Sequence, residues 1–164
     1  MLRFYGFYLP LEQTIQSASA RSEIPFAYAP RAGLIAQDLV DLDLPRTAIS
    51  QAPACRSLER IVTPQTLGGV IYVIEGSTLG ANPIDRAAQH LLAPDNTKGR
   101  GFWAWSRAQN KQRWSLATAY LERLSLSTAP ISPMVTGASE VFEALGDWLA
   151  PLDTPVLETS DMAS

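Results

Sequence analysis

The stretch Leu67-Gly68-Gly69-Val70-Ile71-Tyr72-Val73-Ile74-Glu75-Gly76-Ser77-Thr78-Leu79-Gly80-Ala81 decides how this chain is read. Val70 to Ile74 is β-prone on propensity alone, so a buried strand competes with a helix there. Two features favour the helix. Thr63 and Pro64 stand before the run as an N-cap and a first helical residue. The apolar pattern also continues past the glycines through Ile84, Ala87, Ala88 and Leu91, too long for a strand, and stops before Pro94.

As a helix, the segment puts Gly76 and Gly80 on one face, one turn apart. Each glycine costs about 1 kcal/mol against alanine inside a helix. Two of them, with Ala81 beside the second, leave a strip of bare backbone that a bulky group can approach closely. Pro83 has no N–H, so the Leu79 carbonyl loses its usual partner and a kink is expected. Spacing alone favours the plainer explanation, a neighbouring helix packed on the strip. A planar ligand is the alternative.

Leu2 to Ser19 reads as a helix, with Phe4, Phe7, Tyr8, Leu11 and Ile15 on one stripe and Pro10 as a kink or a new first turn. It opens with no capping residue. Phe26 to Pro30 is a connector, and Arg31 to Asp41 a short helix ended before Pro45. Ile49 to Cys55 reads as loop, and Ser57 as the cap of a short turn through Arg60. Phe102 to Ala108 and Lys111 to Leu124 are helical, as one element or two. Ser132 to Leu149 is the last helix, with Val135, Ala138, Val141, Phe142, Leu145 and Leu149 on one face. Residues 151–164 read as a polar, acidic, mobile tail. Tyr5, Tyr8, Trp103, Trp105, Trp114 and Trp148 are expected in the core, although Trp103 and Trp105, two apart, cannot share a helix face.

The 164 residues suit one domain with a sizeable core. Thirteen basic residues against 16 acidic ones give a net charge of -3, which offers no basic field for nucleic acid. No apolar run approaches the ~18 residues a membrane span needs, and the interrupted N-terminal stretch reads as a helix rather than a signal peptide. Lone Cys55 forms no internal disulfide, which fits a reducing compartment, and the cytoplasm is the expected location. No zinc spacing, phosphate loop or Ser-His-Asp set is legible, and no metal ligand is expected.

The central segment resembles the LGxLYVxEGSxLG(G/A) signature of bacterial heme oxygenases. It is most similar to the biliverdin-producing type that accompanies bacterial phytochromes. Phe7-Tyr8-Leu9-Pro10-Leu11-Glu12 resembles the family's Y-x-x-LE helix, and Arg31 to Leu42 its L-x-x-DL-x-x-L segment. Gly101-Phe102-Trp103 and Gly137-Ala138-Ser139-Glu140-Val141-Phe142 resemble two later signatures, and Trp114 recurs between them. The resemblance implies an all-α, heme oxygenase-like single domain over residues 1–150. It implies oxidative cleavage of heme, the substrate, to biliverdin, carbon monoxide and ferrous iron, with electrons from an external reductase or ferredoxin and a link to a bacteriophytochrome pathway. Gly76 and Gly80 match the distal glycines and Ser77 a position near the distal water network. Ala81 stands where members carry glycine or alanine. Arg107 matches a basic residue that pairs with a heme propionate, a task suited to arginine's bidentate fork; a solvated surface charge is the equal alternative. Phe142 matches a pocket-lining aromatic.

The family's proximal histidine lies on a first helix that precedes the segment matched at Tyr8, so that helix is expected to be absent here. His90 is the only histidine, ten residues past Gly80 and thus about 15 Å along the same helix; it reads as a surface residue. Cys55 reads as structural. Without the first helix, an apolar face would stay uncovered and favour self-association. A non-catalytic member that binds a tetrapyrrole or a protein partner is therefore the alternative function.

Overall fold

The computed structural model describes residues 1–91 and 98–150. The expected tail at 151–164 and the stop before Pro94 lie outside the described residues. Among the described residues every regular element is helical, so the strand alternative at Val70 to Ile74 falls away.

The first helix, α1, spans Leu2–Ala20 and buries Phe7, Tyr8, Leu11, Ile15 and Ala18. Pro10 sits inside it. Its missing N–H would leave the Gly6 carbonyl without a helical donor. The Cys55 N–H donates to that carbonyl at 2.9 Å instead. A side chain at Gly6 would collide with the backbone of Pro53, so the glycine admits the loop that supplies the donor.

Helix α2 is Ala32–Asp41. Its first N–H groups are capped from outside, because Glu12 Oε1 accepts from the Arg31 and Ala32 amides. Asp38 does the same for a later helix, accepting from Gly101 N at 2.6 Å and Phe102 N at 2.8 Å. Burial pushes both carboxyls above their usual range, against the pull of these hydrogen bonds. Helix α3, Arg46–Ser50, corrects the loop expected from Ile49 onward. It is one turn following Pro45, too short to show a period. Helix α4 is Leu58–Ile61. Ser57 precedes it without capping it; the hydroxyl meets Cys55 Sγ at 3.3 Å.

Helix α5, Leu67–Ser77, runs through the centre, against α7 (Gly101–Ser125) and α8 (Ile131–Leu149). Thr63 and Thr66 cap the turn before it reciprocally: Thr63 N donates to Thr66 Oγ1 at 2.8 Å, and Thr66 N to Thr63 Oγ1 at 3.3 Å. A 3-10 turn, Thr78–Gly80, separates α5 from α6, Ala81–Leu91. The break falls before Pro83, which lies in the first turn of α6, where its missing N–H costs little. Phe102 to Leu124 forms one helix, α7, not two.

Helix α8 crosses α5 with the backbones nearly touching. A Cβ on Gly69 would strike the Met134 backbone, and one on Gly137 would strike Thr66. The apolar face expected of α8 is turned partly outward. Gly137 and Val141 are buried, whereas Ile131, Val135 and Phe142 are 69%, 60% and 68% exposed.

Candidate functional site

Glu75 is an ionisable residue at the end of the apolar run of α5, and it is fully buried. A lone buried carboxylate is costly, so it needs partners. Arg31, also fully buried, gives Nη2 to Glu75 Oε2. Arg113 of α7 gives Nη2 to Oε1 at 2.6 Å and Nε at 3.2 Å. Arg113 also donates to the Ala27 carbonyl at 3.2 and 3.3 Å. One carboxylate thus ties the end of α5 to the start of α2, to the 27–31 connector and to α7. The Arg31 guanidinium lies 5.2 Å from the ring centroids of both Tyr28 and Trp105. Burial acts to lower its pKa, but Tyr28, Glu75 and Tyr8 outweigh that and raise it.

Ser77 sits one residue before the 3-10 turn. Its hydroxyl donates to the Ile74 carbonyl at 2.8 Å, and Thr78 Oγ1 donates to the Glu75 carbonyl at 2.6 Å. Both bonds satisfy carbonyls where the helix changes pitch. The buried Tyr8 phenol lies near Ser77 and Arg31. Burial raises its pKa against both contacts and the Arg31 charge.

The glycine strip is uneven. A Cβ on Gly76 would lie 3.3 Å from the Trp114 indole of α7, whose ring centroid is 5.4 Å from that of Tyr72. At Gly76 the plainer packing explanation holds. A Cβ on Gly80 would meet nothing within 4 Å. Gly80 is exposed, with Leu79 and Ile84 exposed around it, so bare backbone faces open space. Ala81 is buried and points inward, away from that opening.

Arg107 is neither a free surface charge nor buried. It is 45% exposed, and its Nε lies 3.1 Å from Asp85 Oδ2. Asp85, fully buried on α6, also receives Arg100 Nη1 at 2.6 Å. Arg107 therefore flanks the turn after the strip through an α6–α7 ion pair. Phe142 stands apart on α8, which crosses α5 at Gly69, two turns before Gly76. The structure thus gathers Gly76, Ser77 and Gly80, sets Arg107 beside them through Asp85, and leaves Ala81 and Phe142 outside the group. His90 is exposed on α6, the continuation of the strip's own helix. Among the described residues no group of three or more His, Cys, Asp and Glu could hold a metal ion.

Glu75, Arg31, Arg113, Asp85 and Trp114 carry the geometry, yet sequence reasoning singled out none of the first four and expected Trp114 only in the core. Only Glu75 left a signal, a carboxylate that ends a run of 14 uncharged residues, 61–74.

The fold and this strip define an all-α protein built around a broken central helix with one bare face. A family model described as heme oxygenase matches residues 1–150, and the chain belongs to the heme oxygenase family. No curated protein and no solved structure matches it.

Proposed function

We propose that the protein binds heme on the Gly80 end of the strip and opens the macrocycle oxidatively to biliverdin, carbon monoxide and ferrous iron. Electrons come from an external donor, a reductase or ferredoxin. In this reading the protein is cytoplasmic and serves a pathway that supplies bilin to a bacterial phytochrome. The observation that carries the reading is the open backbone at Gly80, in a chain of this family: among the described residues, nothing beyond its own helix backbone and chain neighbours lies within 4 Å of where its side chain would be. Bare backbone there lets a planar ring lie close without displacing a side chain. Ser77, beside it, keeps a hydroxyl oxygen able to accept a hydrogen bond from water at the ring face. Arg107, drawn to Asp85 by charge and 45% exposed, could turn its terminal nitrogens to a propionate carboxylate.

A second reading is a family member that holds a tetrapyrrole or a protein partner without turnover. One observation favours it. The single histidine, His90, lies on the same helix run as the strip, so it does not face Gly80 from across a ring. The exposed Ile131, Val135 and Phe142 would then serve a partner or a second copy of the chain.

Adding hemin and a reductant tests the first reading directly. It expects a heme band that gives way to biliverdin absorption. A heme band that persists supports the second. No spectral change with hemin overturns both tetrapyrrole readings. Gly80→Leu should abolish hemin binding; unchanged binding would show that the strip is not the pocket wall.

A further inference from the structure

Gly76 lies near the end of α5, and Gly80, four residues on, closes the 3-10 turn. Open space lies over one, and the indole of Trp114 over the other. The strip is therefore bare at one end and closed at the other. A tetrapyrrole is wider than this interval, so a ring resting over Gly80 extends to the indole edge.

We propose that Trp114 is a specificity-determining residue that sets the in-plane rotation of a tetrapyrrole on the Gly80 surface. This rests on the heme-binding reading above. The shelf formed by Trp114 and Tyr72 meets the ligand with aromatic carbon, and Trp114 is a hydrogen-bond donor only at its indole nitrogen. It takes the hydrocarbon edge of the macrocycle, the side bearing methyl and vinyl groups. The propionate edge is turned away, toward charge.

The position of the indole is fixed by its neighbours. Arg113, the preceding residue, is bound to Glu75, which precedes Gly76. Two adjacent residues on α7 thus meet two adjacent residues on α5, one pair by charge and one by packing. A buried ion pair in this position prevents α7 from sliding along α5. Tyr72 supports the indole from the same helix as the glycines, with the two rings inclined at 59°. The arrangement is a stop with a set location.

The test uses the full chain and hemin. Absorbance titration gives the hemin affinity, and proton NMR of the complex gives the ratio of ring orientations from the shifted heme methyl signals. Wild type should show one dominant orientation. Trp114→Ala should change the ratio by about two- to tenfold, the range that an aromatic contact is worth, while hemin still binds. Gly76→Ala provides a variant that leaves the tryptophan in place. Its new methyl lies 3.3 Å from the indole and must push it by a few tenths of an ångström, so it should shift the ratio in a smaller degree. If Trp114→Ala fails to fold, Gly76→Ala and Trp114→Phe decide the matter. Retained binding with an unchanged ratio in the variants that fold overturns the role of Trp114 alone. Failure of the wild-type chain to bind hemin overturns the heme-binding reading, and this inference with it.

Discussion

Glu75 shows how one buried residue can tie distant parts of the chain together. Two guanidiniums from distant parts of the chain converge on its carboxylate, Arg31 from 44 residues before it and Arg113 from 38 residues after it. Ion pairs of this kind add little net stability, because desolvation offsets much of the attraction. Breaking one is different, since it leaves a charge buried and unpaired. Glu75→Ala should therefore cost about 3–5 kcal/mol, read as a lower urea midpoint at an unchanged slope. A loss below about 1 kcal/mol would mean that water reaches the two arginines, which is how exposed pairs behave. None of this was legible in the sequence beyond the odd placement of Glu75. Helical periodicity reports neighbours three and four residues away, and the partners lie about ten times farther along the chain. The same limit hid Asp85, whose partners sit on the next helix. The residues of the strip were legible because they are contiguous.

At the scale of the element, the long helices and the short α2 and α4 were legible, and α3 was not. Helices α1 and α8 each repeat an apolar stripe for three turns or more, enough to fix a period, and the α5–α6 run was read from its length. Helix α3 has a single turn and no stripe. The break in the distal run was expected at Pro83 but falls at Thr78–Gly80. Ser77 and Thr78 bond back to carbonyls there, and the clamp on Glu75 ends the regular helix. The outward turn of the α8 stripe has another cause: the glycines Gly69 and Gly137 decide which edge of α8 can reach α5, regardless of where its apolar residues lie. That explanation separates two glycines on the same helix run. Gly69→Ala puts a methyl into the backbone of Met134, which cannot move aside as a side chain can. Overpacking of this kind costs about 1–3 kcal/mol. Gly80→Ala adds a methyl to open space, so stability should hold or rise by up to about 1 kcal/mol. Urea unfolding of the two variants side by side checks the contrast. Equal midpoints would mean that the α5–α8 crossing is looser than the contact implies.

At the scale of the molecule, three tyrosines whose phenols are shielded from water give the fold a characteristic response to alkali. Tyr8 and Tyr28 both lie near Arg31, and Tyr120 packs apart from them against Phe26. Burial raises the pKa of all three above the ordinary tyrosine value, Tyr28 well above it and Tyr120 to about 12. Nearby guanidiniums pull the other way, Arg31 on Tyr8 and Tyr28 and Arg123 on Tyr120, without reversing the effect. In the unfolded chain these phenols ionise near pH 10. Between that pH and the folded values, the unfolded chain has lost protons that the folded chain still holds. The unfolded state then binds fewer protons, so stability falls as pH rises. The contribution of these groups is complete below about pH 10, and for Tyr120 it disappears as pH passes about 12. Tyrosinate absorbance and helical circular dichroism, followed together from pH 9 to 12.5, should show the ionisation of these three phenols arriving with the loss of helix. Tyr120→Phe should remove one proton from the coupled step and make the loss of stability with pH shallower. If all tyrosinate absorbance appears near pH 10 while the helix is intact, the three phenols are not sealed from water and the core is more open than the structure shows.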